Sequence, residues 1–176
     1  STVVNCYAPV VSKTAAGTYD ERHDWGLAKT ANPSSQSAFA GDTVSYQWDV
    51  VVTEEVTEET FKVDGDITVV NPAPMEMTVD LADSLDGGTA AVIGDCAGGT
   101  YLSGLLTIPA NTSATCAYTA EPANRLDAAN NVTARLNDIA FTASAPFAWT
   151  ANVIRASATV TDEQLGLNAT ITASQT

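Results

Sequence analysis

The sequence predicts an all-β protein, an antiparallel β-sandwich. Two observations predict this fold class. Apolar and polar residues alternate along many short segments, and on a strand such alternation gives one buried and one wetted face. Turn residues separate these segments at intervals of about 8 to 12 residues, which is typical of sandwiches. The chain has 176 residues, and a chain of this length buries roughly 70% of its unfolded surface. We therefore expect one domain over residues 1–176.

The N-terminal residues predict two strands separated at Pro9. Apolar residues alternate weakly before and just after this proline, at Val4, Cys6, Ala8 and Val10. Proline cannot donate to a strand ladder, so Pro9 marks a kink or a bulge. Residues 23–31 form the next predicted strand, with Trp25 and Leu27 on one face.

The strongest pattern predicts a long hairpin between Asp42 and Asn71. Its first strand runs to about Thr53 with Trp48 on the buried face, and its second strand starts at Phe61. We expect a solvated acidic turn between them, formed by Glu54, Glu55, Glu58 and Glu59. The following Pro72 ends the hairpin.

Shorter strands follow over residues 75–83, 89–96, 105–108 and 114–120. Residues 125–141 are the one stretch with helical character, but paired asparagines and β-branched residues favour a turn and then a strand. The last strand carries an unbroken apolar row, Leu165, Leu167, Ala169, Ile171 and Ala173.

Charge and hydropathy exclude two classes of partner. Seven basic against 21 acidic residues give a net charge of −14. Nucleic acids and anionic membranes require clusters of Lys and Arg, so we expect neither as a partner. Apolar runs are too short for membrane insertion. A start at Ser1 without a leader suggests a mature secreted protein.

The three cysteines fit an oxidising compartment. Cys96 and Cys116 end strand-like segments on either side of a Gly-rich excursion, and we predict a disulfide between them. Cys6 is left over. It is either a buried thiol, which we favour, or the donor of an intermolecular disulfide.

Catalytic patterns are not evident, so we predict that the chain is not an enzyme. The single histidine, His23, has no accompanying nucleophile motif and is read as a surface residue of a strand. We predict no cofactor, with one exception to be weighed: Asp80, Asp83 and Asp86 precede a Gly-Gly turn and are candidate calcium ligands. The alternative, which we prefer, is a solvated acidic turn.

Several segments together resemble immunoglobulin-like β-sandwich repeats of bacterial cell-surface, adhesin-like proteins. They are VSKTAAGTYDERHDWGLAKTANP, GDTVSYQWDVVV, KVDGDITVVNPAP, the stretch from Cys96 to Cys116, and ASATVTDEQLG. The resemblance spans roughly residues 6–165, and DGDITVVNPAP is its most specific part. It implies an extracellular, bacterial cell-surface location and an immunoglobulin-like sandwich. It carries over no active-site residues.

Analogy with such sandwiches also draws attention to two lysines. Lys13 and Lys29 lie in strand-like apolar surroundings, and some surface-protein sandwiches join a buried lysine to an Asn or Asp on a neighbouring strand. Lys29 with Asn152 is the candidate isopeptide pair, with Asp162 as another partner. The alternative is a lysine whose head group stays in water.

The function predicted from these features is that of a structural subunit. We expect a self-assembling, pilus-like filament in which a terminal strand, from residues 1–11 or 165–176, completes the sandwich of a neighbouring copy. In the filament, Cys6 would lock the junction between two copies through an intermolecular disulfide. In the alternative, both termini pack within their own sandwich. The competing function is a monomeric adhesin module that binds a carbohydrate or another host-surface ligand. Trp and Tyr side chains, such as Trp149, could then supply a surface on which a sugar stacks.

Overall fold

The computed structural model describes residues 2–163 and 166–173, and these residues are all-β and antiparallel. No helix occurs in the described part of the chain. The strands are β1 Val10–Lys13, β2 Ala16–Asn32, β3 Gln47–Asn71, β4 Met77–Leu85, β5 Val92–Ala97, β6 Thr100–Leu102, β7 Leu105–Ile108, β8 Thr112–Ala120, β9 Ala129–Leu136, β10 Ile139–Pro146, β11 Trp149–Ile154, β12 Ser157–Asp162 and β13 Leu167–Thr172.

These strands form three sheets. Sheet A has the order β11-β2-β3-β8-β5, and β1 also pairs with β3. Sheet B has the order β10-β9-β4-β7-β6. Sheet C is the hairpin β12-β13. The prediction of a turn and a strand over residues 125–141 is confirmed, because β9 begins at Ala129.

The chain divides into two compact units. The first unit comprises Ser1–Tyr19 and Glu59–Asn152, and the second comprises Asp20–Glu58 and Val153–Thr176. Strands β2, β3 and β11 contribute residues to both units. The prediction of a single domain over residues 1–176 stays a prediction.

The core of the first unit lies between sheets A and B. Strands β3 and β8 supply one side and strands β4, β7 and β9 supply the other. Its fully buried side chains include Ile67, Val69, Val79, Leu106, Ile108 and Val132. Each lies on the inward face of its strand, because successive side chains of a strand point to opposite faces and one of these faces the opposite sheet. A sandwich-like arrangement is thereby present in this unit.

The predicted hairpin between Asp42 and Asn71 is wrong. β3 is one strand of 25 residues that runs through the glutamate-rich stretch without a turn. This stretch contains no Gly, Pro or Asn to supply turn geometry, and its Thr and Val residues favour strand. Thr60, at the end of this stretch, has a positive φ of 57°. It lies next to Glu59, where β3 passes from one unit to the other.

Two other expectations about local structure are corrected. Residues 2–9 belong to no strand, so the first strand begins only at Val10. Trp48, expected in the core, is 45% exposed, whereas Trp149 packs against the buried cluster of Val63, Leu85 and Ala120. Alternation alone assigns one face of a strand to the interior, but it does not say which stretch of a long strand another sheet covers.

Candidate functional site

A lysine side chain reaches the core of the first unit from strand β1. Along β1, Val11 and Lys13 share one face, and Val11 packs against the main core. The same alternation therefore directs Lys13 inward. Its side chain is completely buried, with an exposed fraction of 0%. Pairing of Lys13 with Ile67 in the register of β1 and β3 fixes its position in sheet A.

An aspartate and an asparagine face this lysine from sheet B. Asp83 lies on β4 and Asn130 on β9, and these strands are antiparallel neighbours. In their register Leu85 opposes Asn130 and Asp83 opposes Val132, so Asp83 and Asn130 are diagonal neighbours on the inward face. Asn130 is fully buried, as is the Asp83 side chain.

The three side chains meet in what we call the buried lysine site, which consists of Lys13, Asp83 and Asn130. The Lys13 Nζ donates to Asp83 Oδ1 at 2.5 Å and also to Asn130 Oδ1. It lies 4.1 Å from the centroid of the Tyr118 ring. Two buried atoms of the site have no hydrogen-bond partner, Asp83 Oδ2 and Asn130 Nδ2. The site thus links sheet A to sheet B but leaves two polar atoms unsatisfied.

Burial changes the proton affinities in this site. It lowers the pKa of Lys13, and the hydrogen bond and charge of Asp83 oppose this change only in part. Burial likewise raises the pKa of Asp83, against the hydrogen bond and charge of Lys13. Burial and the charge of Asp83 raise the pKa of Tyr118. Both shifts in the lysine–aspartate pair favour the neutral forms, an amine and a carboxylic acid. A neutral, desolvated lysine amine is a nucleophile.

Sequence reasoning found only part of this site. It singled out Lys13 as a lysine in apolar surroundings, but it favoured a solvated acidic turn for Asp83, with calcium binding as the alternative, and read Asn130 as a turn residue. The solvated position is wrong for Asp83, because its side chain is buried on the inward face of β4. The detectable signal is the alternation itself. In the period-two alternation of β4, Asp83 lies on the same face as Met77, Val79, Leu81 and Leu85. All of these residues are buried.

The predicted calcium ligands do not come together. Asp80 and Asp83 are an odd number of residues apart on β4, so Asp80 faces outward while Asp83 faces the core. Asp86 lies beyond the strand end and accepts a hydrogen bond from the N–H of Ala128 at 3.2 Å. Within residues 2–163 and 166–173, no group of three or more His, Cys, Asp or Glu residues is placed to hold a metal ion.

Lys29, the other singled-out lysine, lies in the second unit. Its Nζ pairs with Asp162 Oδ2 and lies 4.5 Å from the ring centroid of Trp48. The side chain of Lys29 is 35% exposed. Asn152 belongs to the first unit, and an isopeptide bond between Lys29 and Asn152 stays a prediction.

The predicted disulfide is present, but the remaining cysteine is not buried as expected. Cys96 and Cys116 form a disulfide, and they oppose each other in the register of β5 and β8. Cys6 is free and exposed. The favoured reading of Cys6 as a buried thiol is therefore wrong, and its role in an intermolecular disulfide stays a prediction.

The candidate C-terminal donor row is paired within the chain. Leu167, Ala169 and Ile171 lie on β13, are half-buried and belong to the hairpin with β12. Ala173 follows β13 directly and is also half-buried, whereas Leu165 lies outside the described residues. Donation of this row to a neighbouring copy stays a prediction.

The histidine expected on the surface is buried in the second unit. His23 is 2% exposed, with Nδ1 2.6 Å from Glu54 Oε1 and Nε2 3.1 Å from Glu21 Oε1. Desolvation lowers the pKa of His23, but the hydrogen bonds and charges of the two glutamates outweigh it, and the pKa is raised. Glu54, expected in a solvated turn, is thus a partner of this imidazole.

The predicted aromatic platform is divided between the units. Trp149 contacts Phe61 and Phe147 in the first unit. Trp25 and Trp48 belong to the second unit, where the Trp25 indole N–H donates to the carbonyl oxygen of Arg155 at 2.9 Å.

Comparison with known proteins leaves these sites to be interpreted from their own geometry. The chain matches no protein-family model, no curated protein and no solved structure. Within the described ranges, no helix is long and apolar enough to cross a membrane.

Proposed function

We propose that this chain is an extracellular structural subunit of a bacterial surface fibre, in which one copy adds a strand to the sheet of the next. The observation that carries the proposal is the segment of residues 2–9. It belongs to no strand, and its Val3 and Val4 are 82% and 78% exposed. Strand addition uses such a segment, since main-chain hydrogen bonds supply affinity and alternate side chains fill a groove.

The sequence of this segment suits a donated strand. Val4, Cys6 and Ala8 alternate with Val3, Asn5 and Tyr7. In an extended conformation the first set would form one apolar face, and the second set would face solvent. The C-terminal row is the weaker candidate, because β13 already pairs with β12 of the same chain.

An immunoglobulin-like topology and an extracellular location complete the proposal. Two antiparallel sheets that face each other across one core support the topology. The Cys96–Cys116 disulfide supports the location, because disulfides persist in oxidising compartments and are rare in the cytosol.

Electron microscopy of two matched variants tests the role of the N-terminal segment. Val4→Asp places a charge on the face that would be buried in a neighbour, whereas Val3→Asp places the same charge on the opposite face. We expect filaments from the unchanged chain and from Val3→Asp, and none from Val4→Asp. Filaments that survive Val4→Asp but disappear when residues 165–176 are removed would transfer the donor role to the C-terminal strand.

The second candidate function is a monomeric adhesin module for a surface glycan or another host-surface ligand. Monodisperse particles of about the chain mass, 18.2 kDa, in the unchanged protein would reject the fibre and favour this module. A glycan screen of the monomer would then identify its ligand.

A further inference from the structure

The buried lysine site has the composition of a self-modifying site. We propose that Lys13 and Asn130 join in an intramolecular isopeptide bond, with Asp83 as the acid–base group that promotes it. The geometry points to this product because the Lys13 Nζ lies against the Asn130 carboxamide and against Asp83 at once. The proposal does not depend on assembly into fibres, since all three residues belong to the first unit.

Folding supplies the proximity that such a reaction needs. An amine and a primary amide do not condense at a useful rate in water, but fixed neighbours in a protein react as though at very high concentration, about 10⁵ M or more for well-oriented groups. Here β1 holds the amine while β4 and β9 hold the carboxyl and the amide. All three side chains are buried, so water does not compete for the amide carbon.

The reaction balances without any co-reactant. The neutral amine of Lys13 attacks Cγ of Asn130, so that the Nζ–Cγ bond forms and the Cγ–Nδ2 bond breaks. Of the two amine hydrogens, one stays on the new amide nitrogen. Asp83 accepts the other and gives its own proton to Nδ2, which leaves as ammonia. Asp83 is a protonated carboxylic acid both before and after the reaction, and no electron is transferred to or from another molecule.

The protonation state of the pair supports this sequence of steps. Burial favours the neutral lysine, which has the free electron pair needed for attack, and the neutral aspartic acid, which holds the proton needed by the leaving group. The Tyr118 ring, 4.1 Å from Nζ, closes one side of the site and holds the amine against its two partners.

The unsatisfied atoms also favour the joined product over a permanent hydrogen bond. The Asn130 Nδ2 is a buried donor group without a hydrogen-bond partner, and leaving such a group unpaired is unfavourable. Departure of ammonia removes this group. The new amide retains one N–H, which lies beside Asp83 and has that carboxyl as its acceptor.

Mass spectrometry of the unchanged protein tests the proposal directly. After reduction and alkylation of the cysteines, we expect an intact mass lower than the sequence mass by one molecule of ammonia. We also expect trypsin to yield a branched peptide, in which the peptide ending at Arg22 is joined through uncleaved Lys13 to residues 126–135. A full sequence mass, or a free peptide ending at Lys13, overturns the proposal.

Matched variants distinguish isopeptide formation from other reactions that release ammonia. Succinimide formation at an asparagine also releases ammonia, but it does not require Lys13. We therefore expect Lys13→Met to have the full mass, and Lys29→Met to retain the loss. Ammonia loss that persists in Lys13→Met, or disappears in Lys29→Met alone, contradicts the assignment.

Substitution of the two sheet B residues tests their separate roles. Asp83→Asn keeps the shape of the side chain, and we expect it to slow the reaction by about 10²-fold or more. Asn130→Asp retains an electrophilic carbon, so any joined product loses water in place of ammonia. Unchanged ammonia loss in Asn130→Asp overturns the proposal. The wild-type peptide map remains decisive if a variant does not fold.

Discussion

Gly65 lies directly against the carbonyl oxygen of Thr14, the residue that follows Lys13. A Cβ at position 65 would be 2.3 Å from that oxygen, which also accepts a hydrogen bond from the Tyr118 hydroxyl at 2.7 Å. The missing side chain of Gly65 thus lets the end of β1 approach β3 closely enough to place the lysine amine.

Gly65→Ala should therefore weaken the fold and impair the proposed isopeptide bond. The added methyl group displaces Thr14, at a cost of about 1–3 kcal/mol in the free energy of unfolding. We expect a smaller joined fraction by mass spectrometry shortly after synthesis. Gly94→Ala is the matched control, because its Cβ would lie 3.5 Å from the nearest atom, an ordinary contact. Equal joined fractions in both variants would contradict this role of Gly65.

Removal of the disulfide should destabilise the first unit. The bridge spans a sequence separation of 20 residues, for which the chain-entropy relation gives about 3 kcal/mol. The measurement is urea denaturation of the double variant Cys96→Ala/Cys116→Ala beside the unchanged protein. Cys6→Ala serves as the control for loss of a thiol. A change equal to that of the control would show that the bridge contributes nothing to stability.

Substitution of Asn71 should cost several buried hydrogen bonds. Its Nδ2 donates to the carbonyl oxygens of Met75, Ile108 and Pro109, and its Oδ1 accepts from the Ala73 N–H. Asn71→Ala leaves these groups without their partner, so we expect a loss of about 3 kcal/mol. Thermal and urea denaturation measure it.

Asn131→Ala is the control for the loss of an asparagine from a strand. This residue is exposed on β9, and we expect a change within about 0.5 kcal/mol. Similar losses in the two variants would argue against a special role for the Asn71 hydrogen bonds.

His23 should make stability depend on pH near neutrality. Because its pKa in the folded state is raised above the ordinary value of 6.5, the protonated form is favoured by folding. This contribution is fully present below pH 6.5 and is lost as the pH rises through the higher folded pKa. NMR titration of the single imidazole measures the folded pKa. We expect Glu54→Gln to lower it, and an unchanged pKa in that variant would contradict the assigned pairing.

Cys6 should form disulfide-linked dimers under oxidising conditions. It is exposed and is the one free cysteine of the chain. We expect a dimer on a non-reducing gel that disappears with reductant and in Cys6→Ser. A monomer that persists after oxidation would show that Cys6 does not lock a junction between copies.

The strand pattern could be predicted because it depends on local alternation. The segments around Val69 and Val79 each reveal their inward face without knowledge of their partners. The acidic stretch around Glu54 could not be read in this way. Its charges suggested a turn, but a carboxylate also fits a strand when a residue such as His23 faces it.

The buried lysine site could be predicted only in part, because its residues are distant in sequence. Lys13 and Asn130 are 117 positions apart, and no local pattern connects them. Their meeting depends on which strands pair and in what register. Asn130 also belongs to an Asn-Asn pair, which is more typical of turns than of a core.

Covalent closure between Lys13 and Asn130 would change how the chain carries tension. A pull on the protein from both ends would pass through the new amide and bypass the backbone between the two residues. These 117 positions could otherwise extend by about 400 Å. The bypassed length includes β3 and the disulfide, so neither would be stretched. A fibre built from such subunits would lose this source of lengthening under load, whatever the strength of the hydrogen bonds within the bypassed part.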